Sequence, residues 1–182
     1  MAGAVQREIL SLFEYVFART DARLDGISDD EYAWEPTSDC WTVRPDGLDG
    51  DEVVVDDPPV TTIGWRLCHV SDALARHPMD RLLRADVTLS ARRFPTDADT
   101  GVTYFRTSFS EWRDLIASVD DETWLRPFGP VAGPFADSTA LGLALHTADE
   151  FVHHTAEIAL LRDLYARRDE SSDEASDDVT TR

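Results

Sequence analysis

Five histidines are the side chains of this chain best suited to metal or proton chemistry, and His146, His153 and His154 share one Gly- and Pro-free run with Asp149, Glu150 and Glu157. Turned as a helix with His146 at 0°, that run places Asp149 at about −60°, Glu150 at about +40°, His153 at about −20° and Glu157 at about +20°. Imidazoles and carboxylates thus share one face. Leu143, Leu160, Leu161 and Leu164 flank it, which predicts a stripe turned toward the middle of a bundle. Buried carboxylates and imidazoles must be paired, hydrogen-bonded or ligated. Asp149 and His153, one helical turn apart, are the expected ligands of a divalent metal, completed by a third ligand from another helix. His69 is the better candidate for that place, because it falls among Leu67, Val70 and Leu74, whereas His77 precedes Pro78, where a helix stops. Two imidazoles and a carboxylate match catalytic zinc, and iron or nickel sites with open positions. His146, Glu150, His154 and Glu157 then orient or surround the ligands. The rival reading is a hydrogen-bonded core network of the same groups that holds no ion.

Other chemistry finds little support. HExxH and H-x3-H are absent, as are a nucleophile elbow, GxGxxG and a phosphate-binding Gly-rich loop with Lys. Cys40 and Cys68 form no CxxC pair, so neither a disulfide scaffold nor a zinc knuckle is expected, and Cys68 is read as a packed thiol. Trp34, Trp41, Trp65, Trp112 and Trp124 are read as core and loop anchors. Arg66, Arg76 and Arg81 are read as partners of the acidic surface.

The elements that must position these groups are helical. Val5, Ile9, Leu12, Phe13, Val16, Phe17 and Leu24 recur at three- and four-residue spacing and predict a helix over 4–25 that Gly26 stops. Ser28 caps a short segment that ends before Pro36. Residues 37–59 are rich in Gly, Pro and Asp and read as a long ordered loop anchored by Trp41. Thr61 or Thr62 caps a second helix that runs to Pro78. Residues 86–99 read as a crossover loop, 100–119 as a third helix with Phe105, Phe109 and Trp112 on its apolar face, 121–134 as a turn-rich link, and 138–168 as the last and longest helix. The fold class is all-α, a four-helix bundle with long connections over residues 1–167, followed from Arg168 to Arg182 by an acidic disordered tail.

The 36 acidic residues stand against 17 basic ones, all Arg, for a formal charge of −19, which disfavours a nucleic-acid partner. No run of 18 apolar residues exists, and Arg7, Glu8 and Glu14 interrupt the first 15 residues, so neither a membrane partner nor a secretory leader is expected and the cytoplasm is the default.

TTIGWRLCHVSD, from Thr61 to Asp72, and ADEFVHHTAEIALLRDLY, from Ala148 to Tyr165, together with DDEYAWEPTSDCWTVRP, from Asp29 to Pro45, resemble the DinB-like (DinB/YfiT) superfamily of metalloenzymes, in an uncharacterised branch. The resemblance spans about residues 5–167. It implies a four-helix bundle and a metal triad of one histidine on the second helix and two groups four apart on the last, which map onto His69, Asp149 and His153. Typical members carry histidine where Asp149 stands; members similar to mycothiol-dependent isomerases carry a carboxylate there and bind zinc. The resemblance further implies zinc or nickel, a small-molecule substrate, a low-molecular-weight thiol cosubstrate in a transfer or isomerisation, and a homodimer. Two alternatives are a metal-dependent hydrolase and a non-catalytic dimeric bundle with a structural or regulatory role.

A charge of −19 makes the folded chain repel itself. Added salt shortens the reach of that repulsion, to a Debye length of about 3 Å at 1 M. The melting temperature is therefore expected to rise between low and molar NaCl; a flat or falling series, followed by circular dichroism, contradicts this.

Overall fold

The computed structural model describes residues 3–50, 53, 55–76, 78–83 and 94–168. The expected disordered tail from Asp169 onward, His77 and most of the 86–99 crossover lie outside the described residues. The fold is all-α with a helical core, but it is not strictly a four-helix bundle, since short helices supplement four long ones.

The first long helix, α1 (Ala4–Leu24), buries Ile9, Phe13, Val16 and Leu24 at the spacing read from the sequence. Gly26, at φ +70°, turns the chain out of it. The short α2 (Asp29–Tyr32) starts at Ser28, whose hydroxyl accepts the Glu31 N–H at 3.1 Å. A two-residue antiparallel hairpin, β1 (Val43–Arg44) with β2 (Gly47–Leu48), lies within the long loop. Trp41 anchors that loop: its N–H donates to the Val60 carbonyl and its carbonyl accepts from Thr62 N–H, both at 2.9 Å. Thr62 then caps α3 (Ile63–Ala75).

After α4 (Pro78–Leu83), Asp97 caps α5 (Ala98–Ser118). The link expected to be turn-rich contains α6 (Asp121–Leu125), capped by Asp120, and a 3-10 segment, Pro130–Phe135. Its turns need Gly129 and Gly133, both at positive φ. Thr139 caps α7 (Ala140–Ala166), which is about 40 Å long. Among the described residues, no helix is long and apolar enough to cross a membrane.

Packing closes the four long helices into a ring: α3 lies against α5 and α7, and α1 lies against the same two. Aromatic side chains fill its middle. Phe151 of α7 stands 5.5 Å from Phe13 and 6.0 Å from both Phe105 and Phe109, while Phe13 meets Trp112 edge-on at 5.3 Å. The end of α7 is tied to α1 and α2 by Arg162, whose Nε and Nη2 donate to the two oxygens of buried Glu31 at 2.7 and 3.0 Å. Nη1 of Arg162 also donates to the Arg23 and Asp25 carbonyls. The same guanidinium thus satisfies carbonyls left open where α1 ends.

Tyr32 sets the approach of α3 to α5. Its fully buried ring fills the space that side chains would need at Gly64 and Gly101, where an added Cβ would stand 2.5 and 2.6 Å from ring carbons. Its hydroxyl donates to the Pro95 carbonyl at 2.7 Å. Replacing an exposed helix glycine by alanine ordinarily stabilises by about 1 kcal/mol. Here Gly101→Ala is expected instead to destabilise by about 1–3 kcal/mol, the usual cost of overpacking. A urea midpoint unchanged or raised would contradict the notch.

Candidate metal centre

Ala140, Ala144, Thr147, Ala148, Phe151, Thr155 and Ile158 are all buried in α7. On the projection used for the sequence they centre at about +145°. His154 falls at about +80° and Glu150 at about +40°, on the edge of that buried arc, whereas Asp149 and His153 fall outside it.

Asp149 and His153, the side chains expected to meet His69, lie outside that arc; among the described residues, Glu150 and His154 are the α7 side chains grouped with His69. Asp149 is exposed and belongs to neither of the two groups of metal-competent side chains found among the described residues. His153 has a side chain 58% exposed and joins only His154 and Glu157. His146 is exposed and joins neither group. Of the four flanking leucines, Leu160 and Leu164 are 59% and 47% exposed, whereas Leu143 and Leu161 are buried. The informative signal lay in the small and aromatic residues Ala144, Ala148, Phe151, Thr155 and Ile158, whose three- and four-residue spacing traces the buried side.

One ligand atom each from His69, Glu150 and His154 lies within 4.8 Å of the other two. His69 comes from α3 and stacks on Trp65 at 4.8 Å, their rings 13° from parallel. Trp65 is fixed in turn by donating from its indole N–H to the Asp49 carbonyl at 2.8 Å, and Trp41 packs against it at 6.0 Å between centroids. The long loop thereby orients a side chain of the centre. His69 and His154 meet edge to face at 4.8 Å. Buried His154 carries a carboxylate on each side: Glu150 Oε2 lies 3.1 Å from Nε2 and Glu157 Oε2 lies 3.0 Å from Nδ1.

Arg66 reaches into the same cluster from α3. Its Nη1 lies 2.7 Å from Glu157 Oε2 and 2.9 Å from His154 Nδ1, and its guanidinium carbon stands 5.6 Å from the Trp65 ring centre. Burial pulls the Arg66 pKa down, and the neighbouring Glu157 carboxylate opposes that shift. Read from the sequence as a partner of surface acids, Arg66 instead pairs inside the site, with a side chain only 17% exposed.

The donor set fits a divalent cation. Tetrahedral bonds of about 2.0–2.1 Å separate neighbouring ligand atoms by about 3.4 Å. The 3.1 Å between His154 Nε2 and Glu150 Oε2 is close to that span, and two imidazoles with a carboxylate are borderline ligands suited to zinc or nickel. The chain's own thiols are poorly suited to nucleophilic work. Burial and nearby Glu35 push Cys40 up to about 11, and burial pushes Cys68 up to about 11 in the core beside Tyr32.

No curated protein and no solved structure matches the chain. The model of the DinB superfamily matches residues 12–158, a span that takes in the aromatic core and the grouping of His69 from α3 with Glu150 and His154 from α7, and the chain belongs to that superfamily.

Proposed function

We propose that this chain is a metal-dependent enzyme acting on a small substrate, with one divalent ion, zinc or nickel, held by His69, Glu150 and His154. The observation that carries this reading is the convergence of those three side chains from α3 and α7 to within 4.8 Å. A carboxylate, Glu150, then stands at the first ligand position of the last helix. It offsets one of the ion's two charges and leaves a centre still able to attract an anion. A bound divalent ion supplies Lewis-acid stabilisation of negative charge on a thiol sulfur or on water.

The chain's own residues favour a thiol brought from outside. Cys40 and Cys68 are buried and held protonated near neutral pH, so the sulfur of a thiol-dependent transfer or isomerisation comes from a low-molecular-weight cosubstrate. Trp65 fixes the plane of the His69 ring, and Glu150 and Glu157 brace His154 from its two sides.

Metal analysis of untagged protein purified without chelator tests the ligand set. The wild type is expected to hold about one equivalent of divalent metal, and His69→Ala or Glu150→Ala less than about a tenth. Asp149→Asn is expected to keep the wild-type content, because Asp149 faces water. A wild type with less than about a tenth of an equivalent, even after incubation with zinc or nickel and desalting, refutes the proposal. For the reaction, the zinc-loaded protein is expected to turn over model electrophiles only when a low-molecular-weight thiol is added, and His69→Ala to abolish that turnover. Turnover of esters or amides without any thiol identifies the hydrolase instead.

A further inference from the structure

Two polar atoms, one from Arg66 and one from Glu157, meet Nδ1 of His154. Arg66 Nη1 stands 2.9 Å from Nδ1, Glu157 Oε2 stands 3.0 Å from Nδ1, and Arg66 Nη1 and Glu157 Oε2 are 2.7 Å apart. A neutral imidazole has one N–H and one lone pair, so it cannot serve both neighbours equally. With the proton on Nε2, the ring donates to Glu150 at 3.1 Å, and its Nδ1 lone pair accepts from the Arg66 guanidinium. With the proton on Nδ1, the ring donates to Glu157, and the Nε2 lone pair points toward Glu150, the side of the grouping with His69. Only the second form offers Nε2 as a ligand.

We propose that Arg66 and Glu157 act in opposition on His154: Arg66 holds the tautomer that closes Nε2 against Glu150, and Glu157 stabilises the tautomer that opens Nε2 to a cation. The pair thereby sets how tightly the centre holds its ion. This second consequence rests on the metal reading above, whereas the tautomer preference does not.

Two observations separate this role from that of an ordinary tie between helices. Arg66 is confined: its side chain is mostly buried, its guanidinium stands beside Trp65, and its Nε is buried without a hydrogen-bond partner among the described residues. Its charge therefore stays at the site rather than swinging into water. The second group of metal-competent side chains, His153, His154 and Glu157, is also the group that Arg66 already contacts, at Glu157 and His154. An internal cation stands at that cluster, which leaves the Nε2 side of His154 for an external one.

The test has two arms. In the first, nitrogen-15 NMR of metal-free protein at about pH 8.5, where an ordinary imidazole is neutral, reads which nitrogen of His154 bears the proton. The wild type and Glu157→Gln are expected to show the Nε2–H form, and Arg66→Met to move the ring toward Nδ1–H. A wild-type ring protonated on Nδ1 or on both nitrogens, or an unchanged ring in Arg66→Met, overturns the proposal. In the second arm, zinc is titrated in competition with a chromophoric chelator. Glu157→Gln is expected to weaken binding by about 10–100-fold, the range for loss of a group that braces a ligating histidine, and Arg66→Met to tighten it by at least about threefold. Weakening by both variants marks a structural tie and overturns the proposal. If wild-type protein takes up no zinc, the metal reading falls, and the NMR arm still decides the tautomer.

Discussion

The imidazole of His154 is buried where α7 crosses α3, and such a group is tolerated in a helical core only when its polar atoms have partners. Glu150 and Glu157, one turn before it and nearly one turn after it on α7, supply acceptors on the two sides of the ring. Two carboxylates beside one imidazole would leave the crossing strongly negative in a chain that already carries −19. Arg66 from α3 offsets that charge, and His69 closes the far side. The arrangement is thus a requirement of the packing: if either helix rotated, a charged or polar group would be left buried without its partner.

The remainder of the fold holds these two helices in register. Phe151 lies one turn before Thr155 on the buried side of α7, and the stacked and edge-on rings of Phe13, Phe105, Phe109 and Trp112 around it limit rotation of that helix. Tyr32 spaces α3 from α5 through the notches at Gly64 and Gly101, and the ion pair of Arg162 with Glu31 locks the C-terminal end of α7 to the start of α2. The long acidic loop has a definite task in this arrangement. Through Trp41 and the Asp49 carbonyl it fixes Trp65, and through Trp65 the ring of His69. The loop therefore takes part in building the centre.

The centre has the character of a binding site placed at the edge of a core. His154 is enclosed, Glu150 and His69 are half-buried, and His153 and Asp149 reach water. Polarity thus grades outward across one helix turn, from the enclosed imidazole of His154 to the exposed Asp149 and His153. Both cysteines are sealed in with raised pKa values, so neither supplies a thiolate near neutral pH.

Helix existence was readable from residue order because a 3.6-residue period and local caps are properties of neighbouring residues: the repeat through Ile9, Phe13 and Val16 and the caps at Ser28 and Thr62 needed no distant partner. The position of His69 within a helix, among apolar neighbours, was readable in the same way. Which edge of α7 faces inward was not, since Leu160 and Leu164 look like core residues in one dimension and lie exposed in three. A shift of one residue turns a helix by about 100°, so the choice between Asp149 with His153 and Glu150 with His154 rested on what packs against Phe151 and Ile158. Arg66 was likewise an ordinary arginine by composition. Its role depends on a guanidinium from one helix meeting an imidazole and a carboxylate 88 and 91 positions away, and contacts at such separation exist only after the chain has folded.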